Sequence, residues 1–143
     1  MSVDSTAQIH PSAVIEPGAR IGAGCEIGPF CWIGAHVELA QNVVCTSHVV
    51  IRGQTKVGSD TRIFSFAVIG EIPQDLKFKG EVSQLEIGQR NTIREHVTIN
   101  LGTQGGGGVT SIGDDCLLMA GCHIAHDARL GNRVIIVNSA AIA

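Results

Sequence analysis

Three residues late in the chain have the types and spacing for proton transfer: His123, His126 and Asp127, within Gly121-Cys122-His123-Ile124-Ala125-His126-Asp127. A histidine has a reference pKa of about 6.5, so it exchanges a proton near neutral pH. A neighbouring carboxylate orients or polarises the ring, and a positioned general base contributes roughly 10² to 10⁴ in rate. The same pair also reads as ordinary polar surface. Two other segments carry candidate groups. Residues 71–86, EIPQDLKFKGEVSQLE, offer Asp75 and Lys77, or else a solvated turn with an incidental charge pair. Residues 100–111 contain Gly102, Thr103 and the run Gly105 to Gly108, which is either an anion cradle or a flexible excursion. No Walker or Rossmann spacing is present there, so no nucleotide motif is assigned. His10, His36, His48 and His96 are expected at exposed corners, without chemistry.

The elements that must hold these groups are set by a beat of six. Ile9, Ile15, Ile21, Ile27, Ile33, Leu39, Cys45, Ile51, Val57, Ile63 and Ile69 keep one phase, Ile87, Ile93 and Ile99 resume it, and Ile112, Leu118, Ile124, Leu130, Ile136 and Ile142 follow. A small residue or valine sits four places after most of them, with Asn91 the polar exception. Period six fits neither a helix nor plain strand alternation. It is the pattern of an all-β, parallel β-helix built from hexapeptide repeats. Three repeats close one triangular coil, and coils stack at about 4.8 Å. Twenty repeats give six to seven coils over residues 1–143. Continuing the beat past Ile69 would bury Asp75 and Glu81, which is costly for unpaired charges. The chain is therefore expected to leave the prism as external loops at 71–86 and 100–111.

Composition agrees with a thin prism. Of 143 residues, 44% are hydrophobic but only 3% aromatic, so the interior is filled with Ile, Val and Ala. All five cysteines fall on inward positions and read as small hydrophobes rather than as disulfide or zinc ligands. A net charge of −3 argues against a nucleic-acid partner. With no apolar run of membrane-spanning length and no signal-like start, a soluble cytoplasmic protein without membrane insertion is expected.

The stretches Ile27-Gly28-Pro29-Phe30-Cys31, Ser47-His48-Val49-Val50, Gln74-Asp75-Leu76-Lys77-Phe78, Ile93-Arg94-Glu95, His123-Ile124-Ala125-His126-Asp127 and Gly131-Asn132-Arg133 resemble the acyl-carrier-protein:UDP-N-acetylglucosamine O-acyltransferases of lipid A biosynthesis. The resemblance covers essentially the whole chain. It implies a left-handed coil and a homotrimer with active sites between subunits. It also implies transfer of a 3-hydroxyacyl group from acyl carrier protein to the glucosamine 3-hydroxyl of UDP-N-acetylglucosamine. His126 matches the family's general base and Asp127 its orienting partner. Gln74, Asp75 and Lys77 match substrate-binding loop residues, and Met119 and His123 match positions lining the same cleft. Asn100-Leu101 stands where many members have a histidine and a basic residue; an asparagine still hydrogen-bonds a sugar or phosphate but supplies no charge.

The sequence ends two residues into a repeat, whereas the family continues through more coils and a C-terminal helical domain, so a piece of a longer protein is expected. Other readings are acyl or acetyl transfer to another sugar nucleotide, and a non-catalytic trimeric scaffold. A zinc site like that of trimeric β-helix carbonic anhydrases would draw on His96, His123 and His126, but the His-x-x-His spacing does not resemble that family's. No metal and no cofactor are expected.

Overall fold

All but two residues of the six-residue beat, Ile69 and Ile99, end a short strand, and the side chain before each lies on the outer face, as in Arg20–Ile21, Glu26–Ile27 and Trp32–Ile33, where the first residue is exposed and the isoleucine buried. β-branched residues suit this half-buried pleat. A turn follows, and the next strand lies on the next side of the prism. The computed structural model describes residues 2–143. Every strand pairs in parallel with the strand three further along, which yields three seven-stranded sheets and a left-handed parallel β-helix. Face one starts at Ser2–Val3, face two at Gln8–Ile9 and face three at Val14–Ile15. No helix among the described residues is long and apolar enough to cross a membrane.

The interior is a set of like-on-like columns. On face three Ile33, Ile51, Ile69, Ile99 and Ile124 stack in register and are each fully buried. The five cysteines are free and buried, and burial pushes the Cys45 thiol well above its ordinary value, which fits a packing role. Asn91, the polar exception, is satisfied: its Nδ2 donates to the Gly113 carbonyl at 2.8 Å and its Oδ1 accepts from the Cys116 amide at 2.8 Å. At the corner between faces two and three, Phe30, His48, Phe66 and His96 take left-handed backbone angles and pack their rings with centroids 5.0 to 5.2 Å apart, the first pair tilted and the other two stacked.

The corner between faces three and one departs from regularity, and here the expected loop boundaries are corrected. The strand Val68–Glu71 keeps Glu71 in the sheet, and Gln84–Ile87 takes residues 84 to 86 back into it, so the first excursion is 72–83. Likewise Thr98–Asn100 and Val109–Ile112 confine the second to 101–108, where it forms a 3₁₀ turn at Gln104–Gly106. The physical reason is one interior column. Thr55, Leu85 and Thr110 pair in register and are all fully buried, two residues before the beat residues Val57, Ile87 and Ile112.

Candidate functional site

Both excursions leave from face three and re-enter on face one, and the His126–Asp127 turn joins the same two faces on the next coil. Stacking therefore sets loop 72–83, loop 101–108 and this turn along one edge of the prism. The contacts between them are carboxylate contacts. Glu81 Oε1 accepts from the Lys79 amide at 2.7 Å and its Oε2 from the Gln104 amide at 3.1 Å, so one side chain ties the two loops. Those two amides hold the Glu81 carboxyl below its ordinary value.

The second loop is joined to Asp127 in turn. The Thr103 amide donates to Asp127 Oδ1 at 2.8 Å, the Thr103 hydroxyl donates to Oδ2, and His126 Nδ1 lies 2.8 Å from the same Oδ2. Asp127 sits in the left-handed region at φ 64°, and its amide donates to the buried Thr110 hydroxyl at 2.8 Å. Burial pushes the Asp127 carboxyl up, but the Thr103 hydroxyl, His126 and the Thr103 amide outweigh it and hold the group below its ordinary value. An ionised Asp127 accepts from Nδ1, which fixes His126 as the Nδ1–H tautomer and leaves Nε2 with a free lone pair. The His126 side chain is 35% exposed and that of Asp127 11%, so the imidazole reaches solvent while the carboxylate is largely covered.

A cleft of about 330 Å³ lies against this pair, lined also by Asp75, Lys77, Phe78, Glu81 and Thr103. Four of the residues singled out from sequence, Asp75, Lys77, His126 and Asp127, thus meet there. The others do not. Gln74 is exposed on the loop. His123 projects from face three, where its Nδ1 lies 2.7 Å from the Thr98 hydroxyl. Met119 follows the face-two strand Leu117–Leu118, at the far edge of face three. Asn100, read as a substrate contact, is 4% exposed because it closes a strand paired to Glu71 beneath both loops. Direct contact with a ligand is closed to it in this arrangement. His96 stacks on Phe66 at a different corner from His126, so the three histidines of the zinc alternative are not gathered. The glycine run is not an anion cradle: the amides of Gly106, Gly107 and Gly108 are spent on Thr103 and Gln104. Sequence reading missed Thr103 and Glu81 as parts of the site, since a threonine beside glycines carries no signal of the carboxylate it will meet.

The bacterial transferase hexapeptide model (six repeats) matches residues 3–35, 12–47 and 110–143, more than half of the chain. The chain belongs to the hexapeptide-repeat transferase family. Within that family it is 67% identical over 81 residues to the acyl-[acyl-carrier-protein]–UDP-N-acetylglucosamine O-acyltransferase of Paracoccus denitrificans, a match covering 57% of this chain and 31% of that protein. Among solved structures, LpxA of Bacteroides fragilis, a UDP-N-acetylglucosamine acyltransferase, superposes with a TM-score of 0.83 at 46% identity over 99% of this chain. The UDP-N-acetylglucosamine acyltransferase of Campylobacter jejuni does so with a TM-score of 0.89 at 45% identity over 94%. The hexapeptide prism described here spans 52% of each of those two solved chains.

Proposed function

We propose that these coils carry the acceptor and base side of an acyl-transfer site that moves a 3-hydroxyacyl group from acyl carrier protein to the glucosamine 3-hydroxyl of UDP-N-acetylglucosamine, the first step of lipid A biosynthesis. The observation that carries the reading is the Asp127 contact to His126 Nδ1, which leaves Nε2 basic in a residue lining the cleft. The names of the relatives supply the substrates.

The cleft's chemistry supports a sugar rather than a diphosphate at its centre. Asp75, Glu81 and Asp127 line it against one ammonium, Lys77. Glu81 and Asp127 already accept on both oxygens, and Asp75 Oδ1 accepts from the Lys77 amide at 2.9 Å. Asp75 Oδ2 is left to accept from a sugar hydroxyl. Nε2 of His126 takes the proton of the 3-hydroxyl as its oxygen attacks the thioester carbonyl. The carbon–sulfur bond then breaks, and the carrier thiolate leaves and takes up a proton. A thioester has a good leaving group, so a base and an oxyanion donor suffice. Gln74, His123 and Met119 extend the acceptor surface over the loop and face three, in a homotrimer whose neighbouring copy closes the cleft.

The test is mass-spectrometric detection of acylated UDP-N-acetylglucosamine after incubation with 3-hydroxyacyl carrier protein. The chain embedded in its full reading frame is compared with its His126→Ala variant. Product is expected to fall at least ~100-fold; product unaffected by the substitution removes His126 from the mechanism.

A further inference from the structure

The base needs one tautomer, and His126 does not secure it alone. The carboxylate that holds Nδ1 is itself held by a single residue of the 101–108 loop. Thr103 gives Asp127 Oδ1 its backbone amide and Oδ2 its hydroxyl. The direction of that hydroxyl is set from the other side: the Gly106 amide donates to Thr103 Oγ1 at 3.1 Å, occupying a lone pair and leaving the O–H to Asp127. Gly106 must lack a side chain for this closure, since a Cβ there would fall 2.0 Å from Asp127 Oδ2. Thr103 is 5% exposed, so water is poorly placed to replace its hydroxyl.

We propose that Thr103 is a positioning residue for the His126 base, acting through Asp127 by locking the rotation of its carboxylate so that Oδ2 stays on Nδ1. This rests on the reading of His126 as base. Without the hydroxyl, Oδ2 keeps a single donor and the carboxylate turns about its last torsion. The imidazole then samples the Nε2–H tautomer, which has no lone pair to offer at Nε2. The role belongs to the second loop, whose tie to Glu81 links the base to the loop carrying Asp75 and Lys77.

Nitrogen-15 NMR of the His126 ring reads the tautomer without any substrate. The native chain is expected to show a protonated Nδ1 and an unprotonated Nε2. Thr103→Val, which keeps shape and backbone amide but removes the hydroxyl, is expected to give a tautomer mixture, and Thr103→Ser to restore the native pattern. In the product assay T103V is expected to lower kcat at least ~10-fold, with the acceptor KM within about twofold, as for loss of a base orienter. A native tautomer pattern in folded T103V, or a non-native one in T103S, overturns the proposal. If T103V does not fold, the unsubstituted chain still decides. Its Thr103 hydroxyl proton should exchange slowly and show a nuclear Overhauser contact to the His126 Nδ1 proton, and a fast-exchanging hydroxyl overturns it. A tautomer change in T103V with no product from any protein sinks the acyl-transfer reading while leaving Thr103 as the residue that sets the ring.

Discussion

A carboxylate that is nearly buried ordinarily resists ionisation, yet Asp127 is held ionised by three donors from two neighbours. That inversion has a thermodynamic consequence. A carboxyl whose folded-state pKa lies below its unfolded value contributes stability at pH above the unfolded value, near 4, and loses it as the pH falls through the folded value. Asp127→Asn keeps the shape and removes the charge, so it should lower Tm at neutral pH. The gap to the unsubstituted chain should shrink steadily below about pH 4. Thermal unfolding of both proteins from pH 7 to pH 3 checks this, and a gap independent of pH would show that ionisation of Asp127 contributes nothing to the fold.

The strands and loops couple through side chains that the six-residue beat alone does not reveal. Leu85 is fully buried between Thr55 and Thr110, at the point where the chain returns from its first excursion. Leu85→Ala should cost about 2–5 kcal/mol in urea unfolding, the range for an aliphatic cavity. A loss within the ±0.5 kcal/mol typical of surface changes would place Leu85 outside the core. Glu81→Ala cuts the tie to the Gln104 amide, so that amide should exchange with deuterium faster than in the native chain while the Ile99 amide does not change. The coil interior was legible because one repeat fills one column: Ile33, Ile51 and Ile69 declare themselves by spacing. The loop edges were not, because where the chain returns from a loop the inward position has no beat residue four places before it to mark it. Counted two residues back from Ile87 and Ile112, it falls on Leu85 and Thr110, inside what reads as loop. Asp75 was legible because the beat carried past Ile69 would bury its charge and so forces the chain outward with Lys77, and His126 and Asp127 because they fall between the inward positions Ile124 and Ala128. Thr103 was not, because its role depends on a turn two coils below the first loop's start and on the missing side chain of Gly106.

On the scale of the prism, the three faces differ in what they offer another protein. The outward residues of face one include Arg20, Glu38, Lys56, Glu86 and Arg129, a surface at home in water. Face three instead turns Val14, Trp32, Val50 and Val68 outward in register, with Val14 52% and Trp32 44% exposed. A contiguous apolar strip of this kind suits a protein–protein contact, such as the one the proposed homotrimer needs. Next to it, loop 72–83 projects Ile72 and Leu76, the latter without any cover from its own chain. The strip and the loop share the edge that holds the cleft, so a copy packed on face three also walls the site. A charge placed in the middle of the strip, Val50→Lys, should therefore shift the proposed homotrimer towards monomer in sedimentation equilibrium at micromolar concentration, without changing the far-ultraviolet signal of the β-helix. Glu38→Lys on face one, a larger charge change of two units between Arg20 and Lys56 and away from the apolar strip, should leave the proposed trimer intact. Dissociation by the face-one change and not by the face-three change would put the subunit contact on the wrong side of the prism for the neighbour to close the cleft beside His126.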